Sequence, residues 1–134
     1  MELLFKALAD PTRLRLIHLI GDGELCVRLF VEVLNVNQPK ISRHLAYLRR
    51  AGLVSTRRQG KWIYYRLVEP GDNHRARIFQ EVRELLTYKP EMQADKLRLQ
   101  KLLTPQVAED FSSEQKLIAL NRSFVSSATA RSRA

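Results

Sequence analysis

Cysteine is nearly absent from this sequence, because Cys26 is the single one among its 134 residues. One cysteine cannot form an intrachain disulfide, so the composition favours a reducing, cytoplasmic compartment. No apolar run approaches the roughly 20 residues that cross a bilayer, and the first residues lack the basic and apolar segments of a secretory signal. We therefore expect no contact with a membrane.

Recognisable catalytic motifs are absent as well. The sequence contains no phosphate-binding loop, no zincin helix and no nucleophile elbow. His18 could be considered as a general base, but it lies in the segment TRLRLIHLI, where a helix-surface or interface position is expected. The sequence thus predicts a protein that is not an enzyme.

Acidic residues are missing from one long window. Between Val33 and Val68 there is no Asp or Glu, whereas eight residues are Lys or Arg. The rest of the chain carries 15 basic and 14 acidic residues, so nearly the whole net charge of +9 lies in this window. A docking face for phosphate groups concentrates positive charge in this way. The local excess therefore predicts a polyanionic partner.

Helical patterns precede and enter this window. Helices are expected at residues 2–8, 11–20 and 25–34, and Asp10 and Gly21 mark the start and the end of the second one. Each is short, and only a few residues separate the third from the helix that follows. The beginning of the chain is therefore predicted to be a set of closely connected helices.

The next helix lies inside the acid-free window. Asn37 can cap it, and Gly52 sits just past its end. Its residues Ile41, Leu45 and Leu48 form one apolar stripe, while its basic residues lie on another face. A short helix, a tight turn and a longer basic helix are the layout of a helix-turn-helix.

A β-hairpin is expected directly after this helix. Two β-prone runs flank the turn RQGK, with Ile63, Tyr65 and Leu67 facing the core. A hairpin with a basic tip after a recognition helix is a wing. The predicted fold class is mostly α with a small β-hairpin wing, which is a winged helix-turn-helix.

The sequence resembles the ArsR/SmtB family of repressors in several segments. These are LFKALADPTRLRLIHLI, GELCV, NQPKISRHLAYLRRAGLV and RRQGKWIYYRL, in the family's order and at its spacing. Several motifs in register are far harder to obtain by chance than one short pattern. The resemblance is close over residues 3–68 and looser to about residue 87. It implies a homodimer that places two recognition helices in successive major grooves of palindromic double-stranded DNA.

The resemblance also implies that the first and last helices pair across the dimer axis. An apolar face is formed by Ile78, Val82, Leu85 and Leu86, with Phe79 beside it. Its residues Ile78, Val82 and Leu86 then become the dimer interface, although periodicity alone fits packing on the chain's own core equally well. The expected organisation has three parts. They are a DNA-binding and dimerisation domain at residues 1–88, a helical extension at 89–104, and a partly disordered tail at 105–134.

The first turns of the recognition helix carry the residues expected to reach base edges and phosphates. These residues are Gln38, Lys40, Ser42 and Arg43. Arg can bind guanine through two hydrogen bonds, and Gln can bind adenine. His44, next in the family's SRHL string, is expected either to contact phosphate or to be a surface histidine.

Three basic residues cluster at the hairpin tip, namely Arg57, Arg58 and Lys61. They fit contact of the wing with the minor groove or its flanking phosphates. Basic residues also protect edge strands from pairing with other sheets, and both interpretations can hold together.

A metalloid site is incomplete in this chain. The family's arsenic sensors use two or three thiolates, whereas here Arg28 stands at the second sulfur position after Cys26. Other relatives use a cysteine pair after the last helix, and the comparable stretch here is Leu102-Leu103. We therefore expect an inert buried Cys26 ahead of a redox or weak metal role.

Only half of the ligands of the family's zinc site are present. Asp72 and His74 match its first two ligands, but the partner positions hold Leu85 and Tyr88. We expect Asp72 and His74 to cap a helix and assign no cofactor. A metal or metalloid inducer is implied by the family, yet its usual ligands are missing.

Two functions remain open on the sequence. One is a sequence-specific repressor that an inducer releases from DNA. The other is a constitutive DNA-binding protein that has lost metal or metalloid sensing, by natural or engineered replacement of the ligands. Titration of operator binding with inducers separates them.

Overall fold

Six helices and a three-stranded sheet form the part of the chain that the computed structural model describes, residues 1–103. In chain order they are α1 (Glu2–Leu8), α2 (Pro11–Ile20), β1 (Leu25–Cys26), α3 (Val27–Leu34), α4 (Gln38–Arg50), β2 (Val54–Gln59), β3 (Trp62–Leu67), α5 (Asn73–Thr87) and α6 (Pro90–Leu102). The predicted class, mostly α with a small hairpin wing, is confirmed. The tail expected at 105–134 lies outside the described residues.

Side-chain caps start three of the helices, as the sequence predicts. The carboxylates of Asp10 and Asp72 and the amide oxygen of Asn37 each accept a hydrogen bond of 3.0 Å from the backbone N–H three residues further on. Each bond satisfies an N–H that has no partner inside its own helix. Gly21 ends α2 with a positive φ of 53°, which suits a residue without a Cβ.

The predicted helix at residues 25–34 begins two residues late. Leu25 and Cys26 instead form β1, where they lie opposite Tyr65 and Tyr64 of β3, and α3 starts at Val27. An apolar run of this length fits a buried strand as well as a helix, so the pattern alone could not place the boundary. Pairing with β3, which is distant in the sequence, decides it.

The sheet has the strand order β1-β3-β2, and both pairs are antiparallel. The prediction that Ile63, Tyr65 and Leu67 face the core is wrong for Ile63 and omits Tyr64, whereas Tyr65 and Leu67 do pack against the core. Tyr64 is the buried residue at 4% exposure, Ile63 is 43% exposed, and Tyr65 and Leu67 are half-buried. Apolar residues occupy both faces of β3, so alternation could not select the buried one.

The apolar stripe predicted on α4 is confirmed, since Ile41, Leu45 and Leu48 are fully buried. On α5 the expected apolar face divides between two environments. Phe79 and Leu86 are buried in the chain's own core, whereas Leu85 is exposed. One side of α5 therefore completes the core, and the other remains on the surface.

Helix α6 packs against α2, α3 and α5. It buries Met92 and Leu99 in the same core as the other helices. Leu103, the C-cap residue of α6, is buried in this core as well. The domain boundary predicted at residue 88 falls between α5 and α6, and residues 89–103 cover the helices of the first part. Within the described residues, no helix is long and apolar enough to span a membrane.

Candidate nucleic-acid interface

The turn between α3 and α4 sets the direction of the recognition helix. Asn35 ends α3 in the left-handed conformation, with φ at 54°, and its N–H donates to the Val31 carbonyl at 2.9 Å. Asparagine tolerates this conformation better than most residues. Two residues later Asn37 caps α4, so only a short connection separates the two helices, and α3 packs against α4.

The start of α4 presents polar side chains to solvent. Gln38, Lys40 and Arg43 are exposed, and Ser42 is half-buried on the same first turns. Neither Lys40 nor Arg43 forms an ion pair with any residue of the described part of the chain. Their charges are therefore available to an external polyanion.

His44 lies differently from its neighbours on α4. Its side chain is only 15% exposed and turns toward α2, where Nδ1 lies 3.4 Å from an Arg13 nitrogen and 3.9 Å from Asp10 Oδ1. Burial lowers the pKa of His44, with Asp10 opposing that effect and Arg13 adding to it. The imidazole is therefore neutral near pH 7, and Nδ1 accepts from the guanidinium instead of forming an ion pair with Asp10.

Arg13 joins the recognition helix to the end of α1. Its guanidinium donates to the carbonyls of Ala7 and Lys6 at 2.8 and 2.7 Å, and it lies 4.2 Å from the centre of the Tyr47 ring. Arg50 covers the same ring at 4.9 Å. Sequence analysis missed Arg13, because the carbonyls and the ring that it contacts are brought together by the fold.

The wing contains basic residues in two different roles. Arg57 donates to Glu24 at 2.8 and 3.1 Å and to the Gln59 side chain at 2.8 Å, and Glu24 is buried at 2% exposure. The hydrogen bond that Arg57 donates to Glu24 raises the pKa of Arg57. Arg58 and Lys61 are exposed at the hairpin tip. Arg57 thus fastens the wing to the residue before β1, while Arg58 and Lys61 point outward.

The residues considered for metal binding do not come together. Cys26 is buried at the start of α3, and burial raises the pKa of its thiol. Asp72 caps α5, and the Arg75 amide that it accepts from lowers the pKa of this carboxyl. His74 is exposed on the first turn of α5. Within residues 1–103, no group of three His, Cys, Asp or Glu side chains could hold a metal ion.

Known proteins share this arrangement. The model of the bacterial regulatory protein arsR family matches residues 10–56, which run from the Asp10 cap through the recognition helix into the wing. The homodimeric winged helix-turn-helix DNA-binding domain Mb0332 of Mycobacterium bovis is 30% identical, with a TM-score of 0.53 over 66% of this chain and 80% of that one. The chain belongs to the ArsR family.

Curated regulators of arsenic resistance match about half of the chain. The arsenic resistance regulator ArsR1 of Pseudomonas putida is 56% identical over 66 residues, which are 48% of this chain and 52% of that protein. The arsenical resistance operon repressor of Escherichia coli is 57% identical over 65 residues, which are 48% of this chain and 56% of that protein. The chain therefore spans about half the length of these relatives.

Proposed function

We propose that this ArsR-family protein is a transcriptional repressor that binds palindromic double-stranded DNA as a homodimer. The observation that carries the proposal is the start of α4, where Lys40 and Arg43 are exposed without an ion pair in the described residues. A recognition helix contacts base edges with its N-terminal residues, and guanidinium and ammonium groups bind phosphates. The expected location of the protein is the cytoplasm.

The wing supports the same function. Arg58 and Lys61 are exposed at its tip, while Arg57 keeps the hairpin in place through Glu24. A rigid hairpin with basic residues at its end can reach the phosphates beside the major groove that holds α4. Arg57 then contributes by positioning the wing, and Arg58 and Lys61 contribute by contact.

The dimer is supported by apolar side chains on α1 and α5 that the chain leaves on its surface. Leu3 and Phe5 of α1 and Leu85 of α5 are exposed, and Tyr88 follows α5 at 74% exposure. Large apolar side chains that cluster on a surface often mark a contact between proteins. The relative from Mycobacterium bovis is homodimeric by its own description.

Selection from random duplex DNA, followed by fluorescence anisotropy on the selected sequence, tests DNA binding. The expected sequence is an inverted repeat with half-sites about one helical turn apart. Lys40→Gln with Arg43→Gln should abolish the selection, whereas Lys89→Gln, an exposed lysine outside the helix-turn-helix, should retain it. Failure of the unmodified protein to enrich any sequence would contradict the proposal.

Sedimentation velocity tests the dimer with a matched pair of variants. Leu85 on α5 and Leu97 on α6 are each 59% exposed, so a glutamate at either position disturbs the fold equally little. Leu85→Glu is expected to give a monomer at micromolar concentration and to weaken operator binding. Leu97→Glu should remain a dimer. Monomeric wild-type protein under these conditions would exclude the α5 interface.

A further inference from the structure

A cavity of about 540 Å³ lies at the junction of three helices, away from the recognition helix. It is bounded by the end of α2, the middle of α5 and the side of α6 that carries Lys96. The volume is within the range of pockets that bind small molecules. Three basic side chains, one from each helix, line it, namely His18, Arg83 and Lys96.

Lys96 is poorly compensated in this cavity. Its ammonium group donates to the Leu19 carbonyl at 3.5 Å, the outer limit of a hydrogen bond, and no carboxylate of the described residues lies within 4 Å of it. A Cβ at Gly21 would come within 3.3 Å of the Lys96 nitrogen, so the glycine leaves room for this group. An ammonium group has three donors, and the protein engages one of them weakly.

The basic groups of the cavity also act on one another. Burial lowers the pKa of Lys96, with Asp22 opposing and Arg83 adding to this effect. Burial lowers the pKa of His18 as well, and Lys96 and Arg83 lower it further, against Asp95. Each positive charge therefore makes the next one less favourable, and an anion between them would relieve all three interactions.

The carboxylates near the cavity either form ion pairs with arginines or are exposed to solvent. Asp95 is fully buried and binds Arg15 and Arg98. Asp22 accepts from Arg83 at 3.0 Å, but its side chain is largely exposed, so it holds Arg83 from the solvent side. Glu84 lines the same cavity from α5. Lys96 and His18 therefore line the cavity without an ion pair to any carboxylate of the described residues.

We propose that this cavity binds a small oxyanion, a carboxylate or a phosphate group, between Lys96, His18 and Arg83. Lys96 would supply the charge and two further donors, and Arg83 would bridge from α5. The ligand would connect α2, α5 and α6 without touching the recognition helix. This site requires no DNA and is independent of the proposed function.

Histidine titration by NMR tests the proposal on the full chain without DNA. The chain has three histidines, so each imidazole can be assigned and followed separately. Inorganic phosphate and acetate are compared with chloride at equal ionic strength. A bound anion should move the titration midpoint of His18 to higher pH by about 0.5–1 unit, because a nearby negative charge favours the protonated ring. His74, which lies outside the cavity, provides a reference imidazole in the same spectra.

Variants separate this site from binding of phosphate to the recognition helix. Lys96→Gln and Arg83→Gln should each reduce the anion-dependent movement of the His18 midpoint at least threefold, and Lys89→Gln should keep it. Two cavity variants are used so that a folding defect in one leaves the test intact. A response to phosphate alone assigns a phosphate group, and a response to both anions includes carboxylates. An unchanged His18 midpoint in both buffers, or a movement that persists in both cavity variants, would overturn the proposal.

Discussion

Helices α4 and α6 are each 13 residues long, begin with proline in the first turn and carry several basic residues, yet they use their charges in opposite ways. On α4, Lys40 and Arg43 point into solvent and have no ion pair among the described residues. On α6, Asp95 is fully buried, accepts two hydrogen bonds of 2.8 Å from Arg15 and also binds Arg98. Asp95 and Arg98 of α6 use their charges inside the fold, whereas the charges of Lys40 and Arg43 on α4 remain available to an external partner.

The difference follows from the cost of removing a charge from water. A buried carboxylate costs several kcal/mol unless its hydrogen bonds are restored, so Asp95 requires both arginines. An exposed cation stays hydrated, and an ion pair with a surface partner adds little to the free energy of unfolding. A change at Asp95 of α6 should therefore alter stability, and a change at Arg43 of α4 should alter binding. The predictions below test this separation, beginning with the largest effect.

Removal of the buried carboxylate should have the largest effect. Asp95→Asn is expected to lower the free energy of unfolding by about 3 kcal/mol, because Arg15 then loses its charged partner inside the structure. Urea denaturation measures this, and Leu97→Ala on the exposed side of α6 is the control. A loss below about 1 kcal/mol would show that the ion pairs of α6 contribute as little as surface pairs do.

The corresponding change in α4 should leave the fold intact. Arg43→Ala is expected to cost about 2 kcal/mol of operator affinity and to relax discrimination at one base pair. The free energy of unfolding should change by less than about 0.5 kcal/mol, as at other exposed positions. Anisotropy titrations on operator variants measure the first effect. An equal loss on every DNA sequence would reassign Arg43 to a phosphate contact.

A change at Arg13 should alter both stability and DNA binding. Arg13→Lys keeps the charge but cannot bind both carbonyls of α1 and cover Tyr47 at the same time. We expect a loss of about 1 kcal/mol in stability and a weaker operator complex, although Arg13 need not touch DNA. Urea denaturation and anisotropy on one sample measure both quantities. If stability fell while operator affinity stayed unchanged, Arg13 would be a structural residue only.

Acidification should destabilise the protein moderately through two histidines. The pKa of His18 and the pKa of His44 are both lowered in the folded state, mainly by burial. As the pH falls through about 6.5, the unfolded chain takes up protons first, so the free energy of unfolding decreases. The stabilisation is complete above pH 7 and is lost toward the folded-state pKa values. His18→Gln with His44→Gln should flatten the pH profile.

Arsenite should have the smallest effect. Cys26 is buried, the pKa of its thiol is raised, and the sequence contains no second cysteine. Tight binding of a soft trivalent ion needs at least two thiolates, so operator release should be absent at micromolar arsenite with reduced protein. Release that disappears in Cys26→Ser would reveal a metalloid site built on this one thiol.

Local patterns predicted what depends on neighbours in the sequence. The caps at Asp10, Asn37 and Asp72 and the stripe of α4 require only residues within one or two turns. Long-range pairing decided the rest. The strand at Leu25–Cys26 exists because β3 is beside it, and the contact between Arg13 and His44 joins positions 31 residues apart. The ion pairs of Asp95 with Arg15 bridge 80 residues, so no local pattern indicates them.

The strand β1 has a consequence for how a half-site of DNA is covered. Cys26 pairs with β3 of the wing and is also the N-cap of α3. The backbone of this one residue therefore joins the hairpin to the first helix of the helix-turn-helix. The ion pair between Glu24 and Arg57 adds a second tie two residues earlier. These two connections fix the base of the wing relative to α3. In the proposed DNA complex, each protomer would then present a preformed footprint, and adjustment to a longer or shorter operator would come from the interface between protomers.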